Sequence, residues 1–240
     1  MREYLLDLVS HTYELGSVDI IKITGDKKST VINAMAEDRS VVIEGQFISP
    51  SADFVGTFGM PNLNKLKILL NLQEYKDKAK LSLTKRSSGE PDGINFENNA
   101  GDFKNNYRFM SEELVSEKLK TPKFRGVNWH IEFVPTITAI QRLKMQAQAN
   151  SEQTNFQAKT EGKDLKFFFG DHSNHAGNFV VQSDVGGVLK HSWSWPVKTV
   201  IGILDLTGDK VFKISDDGAA MITVDSGLAV YNYILPAQTN

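Results

Sequence analysis

Residues Ala219-Ala220-Met221-Ile222-Thr223-Val224-Asp225-Ser226-Gly227-Leu228-Ala229-Val230-Tyr231-Asn232-Tyr233-Ile234-Leu235-Pro236 decide how this chain is read. Ile222 and Val224 alternate with Thr223 and Asp225, the period of a half-buried strand. Ser226-Gly227 marks a turn, and Ala229–Leu235 resumes as an aromatic strand. Just upstream, Val197, Val200, Ile201 and Leu204 take helical spacing after Pro196, and Asp209–Ile214 reads as a further strand. The end of the chain is therefore a helix followed by three strands.

The same order occurs earlier. Met60-Pro61-Asn62 opens a helix carrying Leu63, Leu66, Ile68, Leu69, Leu70 and Leu72, and strands follow at Ala79–Lys85, Gly93–Asn98 and Lys104–Met110. Gly101 and Gly227 sit at matching turns. Before each helix the chain again runs in parallel. Arg2–Leu15 predicts an amphipathic helix through Leu5, Leu6, Leu8 and Val9, ended by Gly16. Strands follow at Val18–Thr24, Ser29–Ala34, Ser40–Ile48 and Asp53–Gly59. In the second half Pro135-Thr136 opens a helix to about Ala149 with Ile137, Ile140, Leu143 and Ala147 on one face. Strands follow at Asn155–Glu161, Leu165–Gly170, Asn178–Asp184 and Leu189–Trp195. An internal repeat of this kind outranks other fold signals. The second half carries a strand, Trp129–Val134, before its first helix; the first unit either lacks that strand or the chain as given starts after it. Ser111–Gly126 is charged and punctuated by Pro122 and Gly126, and reads as a linker between domains at 1–110 and 127–240.

Composition narrows the function. Of the 240 residues 40% are hydrophobic and 23% charged, a globular balance. The absence of cysteine excludes disulfides, thiolate metal sites and cysteine nucleophiles, and fits a cytoplasmic setting. No apolar run approaches the ~20 residues needed to span a bilayer. No signal-peptide pattern follows Met1-Arg2-Glu3-Tyr4. No Gly-rich phosphate loop or nucleophile elbow occurs, so no catalytic residue and no cofactor is expected. Asp171-His172-Ser173-Asn174-His175 pairs two histidines without the further ligands a metal needs, and reads as a surface turn. Asp216-Asp217-Gly218 is half a calcium loop and reads as a turn too. Trp193 and Trp195 alternate and are expected to face one side, packing in the core.

The duplicated pattern and the C-terminal run quoted above resemble DNA polymerase sliding clamps over essentially the whole chain. Among these, the closest resemblance is to the processivity clamps of tailed phages of the T-even group, with a PCNA-like fold. The resemblance implies an α+β clamp fold: two similar domains, each with two helices packed on antiparallel sheet, three protomers closing head to tail into a ring. It implies a non-enzymatic homotrimer that encircles duplex DNA, tethers a DNA polymerase and is opened by an ATP-driven clamp loader. Inner-helix cations would face the DNA: Arg2, Lys65, Lys67, Arg142, Lys144 and Lys198, accompanied by Asn62, Asn64, Gln141, Gln146 and Gln148. Such contacts displace counterions without reading sequence. The bland reading of the same residues is a solvated helix face. A net charge of -2 puts any basic surface on a near-neutral body. The resemblance also implies a pocket for partner peptides, framed by Met35, Leu114, Val115, Leu119, Tyr233 and Pro236; Leu114 and Leu119 serve equally well to pin the linker to the core. Ring closure would join the edge strands Lys78–Lys85 and Asn178–Asp184, since unpaired edges invite aggregation. The alternative is a β-rich virion or tail structural protein, which also assembles without catalytic residues.

Overall fold

The computed structural model describes residues 1–76, 78–87, 89–120, 124–170 and 175–238. The chain divides into two compact units, Met1–Pro122 with Ser226–Tyr231, and Lys123–Asp225 with Asn232–Asn240.

In the N-terminal unit α1 (Arg2–His11) leads through a 3-10 turn to Gly16, whose left-handed φ of 77° lets its N–H return to Tyr13 O (2.9 Å). Strands β1 (Ile20–Gly25), β2 (Thr30–Met35), β3 (Val42–Phe47) and β4 (Gly56–Pro61) pair antiparallel in the order β4-β1-β2-β3. Register places Ile21 opposite Ala34 and Met60, and Ile23 opposite Ile32 and Phe58. These residues are all buried, which fixes the register because a one-residue slip would turn them to solvent. Asn62 caps α2 (Leu63–Asn71), its Oδ1 accepting from Lys65 N at 3.1 Å. Leu63, Leu66, Leu69 and Leu70 form the buried face of α2, each worth roughly 1.5–3 kcal/mol of burial. Then β5 (Lys80–Lys85), β6 (Pro91–Glu97) and β7 (Lys104–Arg108) form a three-stranded meander with β5 at its edge.

The expected linker is in part a helix. Ser111 accepts from Leu114 N through its hydroxyl, Glu112 and Glu113 favour the N-terminus of the dipole, and α3 runs Glu112–Lys118. Val115 is fully buried against Gly59, where an added Cβ would lie 2.6 Å from the valine Cγ2. Ser226–Tyr231 also clusters with this unit, away from the domain that sequence order suggests. Ile48 N–H donates to Leu228 O (2.9 Å), and the buried Tyr231 hydroxyl donates to Asp7 Oδ2 (2.7 Å) on α1. His11 stacks on the Tyr231 ring and places Nδ1 3.2 Å from Asp7 Oδ1. Burial alone would raise the Asp7 carboxyl, but the hydrogen bonds from His11 and Tyr231 outweigh it and hold it below the usual range.

The C-terminal unit repeats the plan. β8 (Ile131–Phe133) precedes α4 (Ile137–Ala149), capped by Thr136. Strands β9 (Asn155–Glu161), β10 (Asp164–Phe169), β11 (Gly177–Gln182) and β12 (Trp193–Pro196) pair as β11-β10-β9-β12. As in the first unit, the fourth strand returns beside the first, and the third lies at the far end. Phe156 faces Trp195 across β9 and β12, and Ala158 faces Phe167 across β9 and β10. After α5 (Val197–Asp205), β13 (Asp209–Ser215) pairs with β8 and with β14 (Ala219–Asp225). The last strand, β15 (Ala229–Pro236), enters this unit from Asn232 onward, where Thr223 Oγ1 donates to Asn232 Oδ1 at 2.7 Å.

The expected strand at Leu189–Trp195 begins late, at Trp193. Lys190 and His191 are instead drawn onto Asp216, whose Oδ1 accepts from Lys190 N and His191 N (both 2.8 Å) while Oδ2 lies 3.0 Å from His191 Nδ1. Burial pushes this carboxyl up, and the bonds from His191 and Lys190 bring it below the ordinary value. Trp195 is buried, whereas Trp193 stays partly exposed and donates Nε1–H to Asp216 O (2.7 Å). The Asp216 carboxylate is thus occupied by protein donors, consistent with a turn.

Candidate nucleic-acid and peptide interfaces

The six candidate cations fall into two groups. Three are engaged within their own unit. Arg2 is half-buried, with Nη2 donating to Leu70 O at the end of α2 and Nη1 buried without a hydrogen-bond partner among the described residues. Lys67 Nζ lies 3.2 Å from Glu14 Oε1 and 5.7 Å from the Tyr13 ring centre. Lys144 Nζ lies 2.5 Å from Asp205 Oδ1, linking α4 to α5. Arg2 thus clasps α1 to α2: the free carbonyls ending α2 need donors, and the guanidinium supplies one. Lys65, Arg142 and Lys198 are exposed and form no ion pair among the described residues. Of the polar companions, Asn62 is spent on the α2 cap and Gln146 reaches Asn178 O (3.3 Å), while Asn64, Gln141 and Gln148 are exposed. The α4 surface also exposes Ile137 (80%) and Met145 (65%), an apolar component that cation counting overlooks.

The six candidate pocket residues are divided between the two units. Met35 and Leu119 line a groove of about 960 Å³ in the N-terminal unit, together with Tyr13, Val18, Ile20 and Ala36. Val115 is removed from the candidates, since it fills the space over Gly59. Leu114 is 53% exposed on the outer side of α3. Tyr233 is fully buried and Pro236 exposed, both in the C-terminal unit. Sequence reading missed Arg39 and Lys118 on the groove rim. The signal for Arg39 was its place in the Glu37-Asp38-Arg39-Ser40 turn, where Asp38 Oδ1 accepts from Ser40 N (2.9 Å). Both expected edge strands do end their sheets: β5 ends the three-stranded meander and β11 the four-stranded sheet.

Among the described residues no group of three or more His, Asp or Glu is placed to hold a metal ion. The Asp171–Asn174 part of the two-histidine stretch lies outside the described residues. No described helix is long and apolar enough to cross a membrane.

No protein-family model matches the sequence. No curated protein matches it either. Solved structures do. The structure of the C-terminal region of FEN-1 bound to A. fulgidus PCNA matches with a TM-score of 0.70 at 11% identity, over 100% of this chain and 97% of that one. PCNA from Thermococcus kodakaraensis matches with a TM-score of 0.65 at 12% identity, over 99% and 97% of the two chains. The PCNA2–PCNA3 complex from Sulfolobus tokodaii matches with a TM-score of 0.65 at 10% identity, over 98% and 96%. The chain has a PCNA-like clamp fold, mixed α+β with antiparallel sheets and few helices.

Proposed function

We propose that this protein is a DNA sliding clamp, a non-enzymatic ring that holds a DNA polymerase on its template. The observation that carries the reading is the duplicated unit with an edge strand at the end of a sheet in each copy, β5 and β11, on a chain with a PCNA-like fold. Fold alone does not fix function, so the reading also leans on the surface chemistry. Head-to-tail pairing of β5 with β11 closes three protomers into a ring, satisfying edges that would otherwise invite aggregation. Lys65, Arg142 and Lys198 supply sequence-independent phosphate contacts. Topology, more than affinity, retains the ring on DNA, which suits a chain of net charge -2. An ATP-driven clamp loader opens the ring, and partner proteins dock a peptide in the groove containing Met35 and Leu119. The setting is the cytoplasm of a phage-infected cell.

Two measurements test this. Light scattering should give roughly three times the protomer mass of 26.8 kDa. Cognate polymerase should be stimulated on primed circular DNA only with loader and ATP. A strictly monomeric species at micromolar concentration, with no stimulation, would sink the proposal. Recovery in purified virions with no effect on synthesis would mark a structural protein instead.

A further inference from the structure

The charges around the N-terminal groove sort into two kinds. Asp19 and Lys67 are occupied: Asp19 Oδ1 accepts the Leu63 N–H at the start of α2 (3.1 Å), and Lys67 pairs with Glu14 at 3.2 Å. Glu37, Arg39 and Lys118 line the same groove, are exposed, and enter no ion pair among the described residues. The rim is left with two cations against one carboxylate.

Arg39 is informative for a second reason. Its φ of 59° lies in the left-handed region, which glycine and asparagine occupy with less strain. The β2–β3 hairpin demands that conformation, with Arg39 N–H donating to Ala36 O (2.9 Å) and Ala36 N–H to Val41 O (3.0 Å). Only the Arg39 backbone serves the turn. Its side chain makes no hydrogen bond among the described residues, so the turn gives no reason for arginine, and the groove it lines does.

We propose that the groove selects a partner peptide carrying an acidic residue beside its apolar anchor, the carboxylate meeting Arg39 and Lys118 while the apolar side chain rests on Val18, Met35 and Leu119. This rests on the peptide-docking reading above. Arginine offers a carboxylate two parallel N–H donors, and lysine adds a flexible second charge. Both are exposed, so each contributes at most about fivefold and the contribution falls with salt. The acid therefore chooses among peptides, while the apolar floor supplies most of the binding.

The test pans a displayed library of random twelve-residue peptides on the full chain, then measures the most enriched peptide, made synthetically with a fluorophore, by anisotropy. Enriched sequences should share Asp or Glu at a fixed offset from an apolar residue. Arg39→Gly with Lys118→Ala should weaken the peptide about tenfold at low salt, and the difference should close toward 0.5 M NaCl. Arg39→Gly alone should leave the Tm unchanged or higher, which separates lost affinity from lost fold. Enriched peptides that require Met35 (tested with Met35→Ser) yet show no acidic bias, or ignore the double variant, overturn this inference alone. A double variant that loses affinity only for a 30-base-pair duplex assigns the cations to DNA and overturns it as well. If no peptide is enriched, or none responds to Met35→Ser, the groove-docking reading fails and this inference with it.

Discussion

In the N-terminal unit the buried carboxylate of Asp7 holds a strand segment from far along the chain, through the Tyr231 hydroxyl, and a histidine on its own helix. In the C-terminal unit the carboxylate of Asp216 holds the loop before β12 through two backbone N–H groups and the exposed His191 ring. The strand order is the same in both, fourth strand beside first, yet the polar knot is in a different place and faces different partners. Apolar alternation and turn spacing suffice to specify the topology twice. The knots answer to local needs: one fastens a distant segment, the other tidies an irregular loop.

The contrast can be broken experimentally. Asp7→Ala should have the largest effect, about 3 kcal/mol by urea denaturation, because it removes the acceptor of the buried Tyr231 hydroxyl and the carboxylate beside the buried His11 ring. Asp216→Ala should cost less, about 1–2 kcal/mol, since His191 is 65% exposed and turns to water. An equal or inverted ranking would show that the knots are not what separates the units. Acid sharpens the point. Both carboxyls are held below the usual carboxylate value, so the stability each contributes is present above that value and is lost as pH falls through the lower folded one. The Asp7→Ala and Asp216→Ala variants should each lose less stability than wild type between pH 5 and pH 2.

The helix cations give a finer comparison. Among the described residues the N-terminal unit keeps one exposed candidate without an ion pair, Lys65, and the C-terminal unit two, Arg142 and Lys198. Replacing these three with alanine should lower the slope of log affinity against log salt on circular duplex DNA by about 0.9 per phosphate contact removed. Replacing Lys67 and Lys144, which are held by Glu14 and Asp205, should change that slope less and cost under about 1 kcal/mol of stability each. Equal effects from the two sets would mean that the internal pairs open on DNA.

Strand and helix positions were legible in the sequence wherever burial alternates, as along β2 and β10. Two elements were not. The helix at Glu112–Lys118 was hidden by its charge and by Pro122 downstream, although Ser111-Glu112-Glu113 is a start signal; what settles it is Val115 dropping onto Gly59, a contact made across the fold. The late start of β12 follows from Asp216 capturing Lys190 and His191, a pairing between residues 25 and 26 positions apart that no local pattern announces. The candidate site was legible in kind more than in membership. Lysines on helices are visible in sequence, but whether Glu14 or Asp205 has already taken them is not. Leu114, Val115 and Leu119 looked alike on paper, and helix phase sent one to solvent, one to the core and one to the groove.

The assignment of Ser226–Tyr231 to the N-terminal unit has a consequence for synthesis. The Asp7–Tyr231 hydrogen bond joins residues 224 positions apart. Domains ordinarily fold as they emerge from the ribosome, the N-terminal one first. Here the first unit lacks the Tyr231 hydroxyl, the donor to Asp7 Oδ2, until residue 231 has been translated. A pause or truncation anywhere upstream leaves both units incomplete, so that a protomer is finished only when nearly all of it has been made.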